Sequence, residues 1–183
     1  DTYRIDETDA SGYISIASLT SIDPATGAVT LNTSTPNQKA LTITAGNEYY
    51  ENNFLDLTPW SITGSVFNDA KTDNDFGGDT SLASVTLTLL QDSENNGSFE
   101  TTLGTTLTAI DGSYSFTGLN AGVYQVAETD KSGTTSVKDT DDATGNTDSN
   151  LIDITLVRGV GDSTANNFLD VGTEADLSIS KSP

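Results

Sequence analysis

The chain has 183 residues with 27 Asp plus Glu against 7 Lys plus Arg, and its net charge of −20 excludes nucleic acid and anionic membrane surfaces as natural partners. Cys, His and Met are absent together, which removes disulfides, thiol nucleophiles, imidazole bases and zinc or haem ligands. The catalysis left open is a glycosidase-like carboxylate pair or metal-assisted hydrolysis, and one Trp with six Tyr offers little for a sugar cleft, so no enzyme is expected.

Taken in chain order, short runs of apolar residues alternate with Ser, Thr or other polar residues. They fall at Tyr3–Thr8, Leu41–Ile43, Ile62–Val66, Val85/Leu87/Leu89, Tyr114–Phe116, Tyr124–Val126 and Ile152/Ile154/Leu156. Clusters of Gly, Asn, Asp and Ser separate them, and a period of two with such punctuation predicts half-buried strands. No stretch keeps a helical period over three turns, so the predicted class is all-β, as tandem antiparallel sandwich repeats. No 18-residue apolar run, signal-like segment or lipidation motif is present, which predicts a soluble piece.

The chain repeats itself. Tyr3-Arg4-Ile5-Asp6-Glu7-Thr8 recurs as Tyr124-Gln125-Val126-Ala127-Glu128-Thr129, an offset of 121, and Asn52-Asn53-Phe54-Leu55-Asp56 recurs as Asn166-Asn167-Phe168-Leu169-Asp170, an offset of 114. A period of this length suits one sandwich domain. Sequence matching Ile62–Val123 does not precede the first copy, and Ala175–Ser180 stands after its Asn-Asn-Phe-Leu-Asp much as Trp60–Gly64 stands after the earlier one. The predicted organisation is therefore residues 1–56 as the C-terminal part of a first sandwich, 60–170 as a complete sandwich, and 171–183 as a linker with the first strand of another. A part-sandwich would expose a core face and strand edges, so it calls for neighbouring repeats of the same chain or strands from another protomer.

Gly64–Asp170 resembles the B-type repeat of serine-aspartate-repeat surface adhesins, within the wider collagen-adhesin B-like, prealbumin-like sandwiches. Four pieces carry the likeness: Gly64–Asp69, Leu82–Leu89 after an Asp-rich loop, Asp111–Tyr124, and the closing Asn-Asn-Phe-Leu-Asp. The resemblance implies a rigid, calcium-dependent spacer at the bacterial cell surface, extracellular and without direct membrane insertion, with any host, surface or matrix ligand bound through other domains. Some relatives in the wider group carry a Lys to Asn isopeptide bond helped by a Glu. Glu128 and Asn167 match two of those members, but the opening strand Gly64–Asn68 has no Lys, so no such crosslink is expected.

Calcium takes about six to eight oxygen ligands, which Asp, Asn and backbone carbonyls on a Gly-bent loop can supply. Three places fit the pattern. The first is Asp69, Asp73, Asp75 and Asp79 with Gly77 and Gly78. The second, Asp92, Glu94, Asn96, Ser98 and Glu100 about Gly97, follows the opening of an EF-hand loop with Glu at its third position and Leu103 where the closing Glu would stand. Its rival reading is a plain hairpin turn at Asn96-Gly97. The third is Asp139, Asp141, Asp142 and Asp148 with Asn146 around Gly145, whose rival reading is a solvated acidic loop. The matching stretch of the first copy, Ser18–Ala28, keeps only Asp23, which predicts fewer ions there. Like charges at ~4 Å repel by about 1 kcal/mol in water and by more at lower dielectric, so bound Ca2+ would relieve the acidic loops.

Sequence therefore supports a calcium-stabilised stalk of an adhesin or fibre. It leaves open a self-assembling extracellular filament completed by donated strands, and a carbohydrate- or protein-binding module on the same fold.

Overall fold

The computed structural model describes residues 2–22, 29–42, 52–141 and 149–173, and the chain divides into two compact units, Asp1–Pro59 and Trp60–Pro183. The expected third-copy strand, 175–180, lies outside the described residues. Fourteen strands and no helix occur among the described residues, so none contains a helix long and apolar enough to cross a membrane.

In the first unit, β1 (Thr2–Asp6) pairs with β4 (Gln38–Thr42), and β2 (Ile14–Ile22) lies between β3 (Val29–Asn32) and β5 (Phe54–Leu57). All of these pairs are antiparallel. Its buried apolar side chains among the described residues are Ala17 and Leu19.

The second unit is a two-sheet sandwich. One sheet has the order β10–β6–β14–β12, from Ser113–Leu119, Trp60–Asn68, Phe168–Gly172 and Thr134–Asp139, with the two-residue β7 (Thr80–Ser81) on β6. The other has the order β13–β11–β8–β9, from Leu151–Leu156, Gly122–Thr129, Thr86–Asp92 and Thr101–Leu107. Every pair is antiparallel except β14 on β6, which is parallel with Phe168 opposite Val66 and Asp170 opposite Asn68.

Alternation explains the core. Along β13, Ile152, Ile154 and Leu156 point inward while Asp153 and Thr155 are exposed, the period that puts successive side chains on opposite faces. Leu87 and Leu89 of β8, Tyr124 and Val126 of β11, Ile62 and Val66 of β6 and Phe168 of β14 meet them in one buried cluster. Trp60 and Phe116 pack against its margin. Gly64 lets β6 and the segment before β14 come together: a Cβ there would sit 1.8 Å from the Asn166 carbonyl oxygen, a position no side chain can take.

Candidate metal centres

The first acidic stretch forms the loop between β6 and β7. Asp69, fully enclosed at its head, is tied down by its own N–H, which donates to the Asp170 carbonyl at 2.6 Å. Its carboxylate accepts the backbone N–H groups of Asp73 and Asn74, both at 3.1 Å, and the Asp73 carboxylate accepts the N–H of Asp75 at 3.2 Å. This self-capping folds the loop back on its start. Thr72 and Asn74 sit in the left-handed region at φ 57°, as does Gly78 at 80°. A β-branched Thr is strained there, so the loop's other contacts must hold it. Those contacts include Lys138, which donates to the Asn74 carbonyl at 3.0 Å and lies 5.4 Å from the Phe76 ring centre, and the Phe76 ring edge-on to Phe67 at 6.2 Å.

The fold brings carboxylate oxygens of Asp69, Asp73 and Asp79 within 4.8 Å of one another. Both oxygens of Asp79 are buried and meet no hydrogen-bond donor. A buried carboxylate without a donor is costly, and a cation held between it and its two neighbours would supply the missing partner. Asp75 stays on the exposed side of the loop, its carboxylate near Gly77.

The second stretch, between β8 and β9, closes on its own backbone. Asp92 accepts the N–H groups of Asn96 at 3.0 Å and Gly97 at 2.8 Å, one on each oxygen. Asn96 accepts from the Ser98 N–H at 2.8 Å and donates to Glu94 at 3.1 Å. Glu100 accepts the Ser93 N–H at 2.9 Å and the Glu94 N–H at 3.2 Å, and the Ser93 hydroxyl first of all holds its carboxyl below the usual range. Among the described residues, the carboxylates of Asp92, Glu94 and Glu100 are not gathered into one group as those of the first loop are. The loop has the bonding of a hairpin, with its acceptors facing backbone donors.

In the third stretch Asp139 closes β12 and is 1% exposed, accepting the Asp141 N–H at 2.9 Å. Asp141 accepts the Asp153 N–H at 2.8 Å on one oxygen, and its other oxygen is buried without a donor. Asp142, Asn146 and Asp148 lie outside the described residues, as does Asp23 of the first copy.

A further acidic group was not foreseen. Glu7, Asp9 and Asp56 bring carboxylate oxygens within 4.8 Å of one another in the first unit. Glu128, Asp130 and Asp170 surround Ser136 in the second, with their oxygens spread too wide to lie all within 4.8 Å of one another. Glu128 is 6% exposed, and burial, then the Asp170 charge, pushes its carboxyl up to about 8. Asp170, fully buried, is also raised, by burial first. The sequence signal lay in the two repeated motifs, each of which carries an acid at a fixed place.

No protein-family model and no curated protein matches the chain. Solved structures share the architecture at low identity. A mutant of the shaft pilin SpaA from Lactobacillus rhamnosus GG is 17% identical with a TM-score of 0.46, over 64% of this chain and 52% of that one. The major pilin SpaD from Corynebacterium diphtheriae is 16% identical with a TM-score of 0.41, over 62% and 30%. The major pilin subunit BcpA of Bacillus cereus is 12% identical with a TM-score of 0.44, over 91% and 41%. The chain thus spans about half the length of SpaA and less of the other two. The likeness is loose and concerns strand arrangement alone.

Proposed function

We propose that the chain is a non-catalytic, calcium-stabilised structural repeat of a bacterial cell-surface adhesin or fibre, extracellular and in series with further repeats. The observation that carries the reading is Asp79, whose two buried oxygens lack a donor while Asp69 and Asp73 stand beside them. These three would hold the ion, which would fasten the β6–β7 loop to the middle of β14 through the Asp69–Asp170 backbone bond. The resemblance of Gly64–Asp170 to the adhesin B-type repeats and the tandem recurrence of both motifs support a spacer. Extracellular modules of this kind bind calcium with dissociation constants on the order of 10⁻⁴ to 10⁻³ M, so the ion would be retained outside a cell. Among the described residues of the β8–β9 loop the carboxylates are not gathered and no buried oxygen lacks a donor, so weaker binding is expected there.

Calorimetric titration of the calcium-stripped chain tests this. Asp73→Asn with Asp79→Asn removes at least one calcium equivalent, and an unchanged stoichiometry in that variant rejects the loop site.

A second reading, a filament subunit completed by strands of another copy, is favoured by one observation. Tyr3 is 51% exposed and Ile5 37%, whereas their counterparts Tyr124 and Val126 are 2% and 0% exposed. That face suits strands patterned like residues 62–123, which a neighbouring repeat or another protomer would bring. A concentration-dependent mass in light scattering favours the other protomer, and a monomer at every concentration excludes it.

A further inference from the structure

The two repeats build the same polar centre from residues far apart in sequence. In the first, the Ser15 hydroxyl lies 3.1 Å from Glu7 Oε2, 2.5 Å from Asp9 Oδ1 and 3.0 Å from Asp56 Oδ1. In the second, the Ser136 hydroxyl lies 3.1 Å from Glu128 Oε2, 3.0 Å from Asp130 Oδ1 and 2.9 Å from Asp170 Oδ1. The supporting backbone matches as well. Ser15 is paired with Asp56 across β2–β5 and Ser136 with Asp170 across β12–β14, and a bulge follows the serine in each strand. The turn leading in is closed by Tyr13 N–H to the Ala10 carbonyl at 3.0 Å, and by Thr134 N–H to the Lys131 carbonyl at 2.9 Å.

A serine hydroxyl has one hydrogen, so it can satisfy one of its three carboxylate neighbours. Thr134 donates to the other oxygen of Asp170 at 3.0 Å, the Ser136 N–H reaches Asp130 Oδ1 at 3.3 Å, and Asn37 reaches Asp9 Oδ1 at 3.2 Å. Glu128 gains none of this relief. It is more than nine-tenths buried, one oxygen is on the crowded serine, and the other, Oε1, is buried without a donor. Three acids about one hydroxyl, with a buried oxygen left over, form a set of acceptors without enough donors. A hard cation completes such a set, and the exposed Asp130 gives it a way in.

We propose that each serine-centred triad, Glu7–Asp9–Asp56 around Ser15 and Glu128–Asp130–Asp170 around Ser136, binds a divalent cation of the calcium class. The sites are separate from the β6–β7 loop and do not depend on it. Burial raises Glu7 as well as Glu128, in keeping with carboxylates that lack a counter-charge. In the second unit Asp170 serves both places, its side chain in the triad and its carbonyl holding Asp69, so an ion in the triad would steady the loop.

The test is anomalous diffraction from crystals of the whole chain grown with Ca2+ and soaked in Tb3+, together with Ca2+ titration of a Glu7→Gln, Glu128→Gln variant. The amide keeps the size of the glutamate and removes its charge, and circular dichroism checks that the variant folds. Peaks beside Ser15 and Ser136, and the loss of one calcium equivalent per repeat in the variant, are expected. The Asp73→Asn, Asp79→Asn variant keeps both triad equivalents. Triads empty beside an occupied loop overturn this inference and leave the loop site standing, and occupied triads beside an empty loop do the reverse. A glutamine variant that binds as much calcium as the parent also overturns it, because the triad would then be held by protons.

Discussion

The two units use matching strands to different ends. Leu169 of β14 is 0% exposed and its counterpart Leu55 of β5 is 43% exposed, in step with the contrast at Tyr124 and Tyr3. Yet the Ser–Asp register, the bulge after the serine and the turn before it recur in both. Hydrogen-bonded pairing is thus set by local sequence, whereas burial is set by what packs over each face of a strand. In the second unit β6, β8 and β10 meet Tyr124 and Phe168 in the core cluster, to which Leu169 on the opposite face of β14 does not belong. Among the described residues the first unit has no strands matching those three.

The largest expected effect breaks this contrast directly. Leu169→Ala should cost about 2–5 kcal/mol, as deletion of a buried leucine does, while Leu55→Ala should cost well under ~1 kcal/mol. Urea unfolding of each variant reads the difference, and equal costs would show that Leu55 is covered in solution.

Calcium comes next. A site at about 100 times its dissociation constant adds about 2.7 kcal/mol, and Asp79→Asn should remove most of that gain while leaving the calcium-free melt unchanged or raised.

The third concerns pH and separates the buried triad from the more open one. Glu128 is raised in the folded protein from 4.5 to about 8, so the folded state binds the proton more tightly than the unfolded. The stability from this group is therefore full below about 4.5 and is lost as pH rises through about 8. The groups that face it are Asp170 of β14, Asp139 of β12 and Asp130 of the turn, all acidic, with Tyr114 of β10 nearby and itself pushed up, first by burial. In metal-free buffer the melting temperature should climb from pH 9 to pH 5, and Glu128→Gln should flatten that climb more than Glu7→Gln does. A steeper slope in Glu128→Gln would contradict the assignment.

The smallest effect is at Thr72, where Gly should relieve the left-handed strain and stabilise by about 1 kcal/mol or less. Thermal melts of that variant check it.

Strands with strict apolar alternation were legible in the sequence, because burial on one face imposes the period of two, as in Val85–Leu89 and Ile152–Leu156. Others were not, among them β3, β2, whose alternation breaks at the bulge between Ser15 and Ala17, and two polar strands. β9, Thr-Thr-Leu-Gly-Thr-Thr-Leu, and β12, Thr-Thr-Ser-Val-Lys-Asp, lie at sheet edges and are fixed by backbone pairing with β8 and β14, which leaves little trace in side-chain pattern. The Asp69–Asp79 loop stood out because its acids are close in sequence. The triads did not, since Ser136 meets Asp170 only through the pairing of β12 with β14, and Glu128 reaches them from β11 in the other sheet. Even so, an acid stood at the same place in both copies of each repeated motif.

A cation at the Asp69–Asp73–Asp79 loop should secure the second unit. Scanning calorimetry of the purified chain in millimolar Ca2+, then in excess EDTA, then after Ca2+ is restored, tests it most directly. The melting temperature of the second unit should fall by several degrees on chelation and return on add-back. A melt that stays the same in all three states would show that no ion at this loop stabilises the unit.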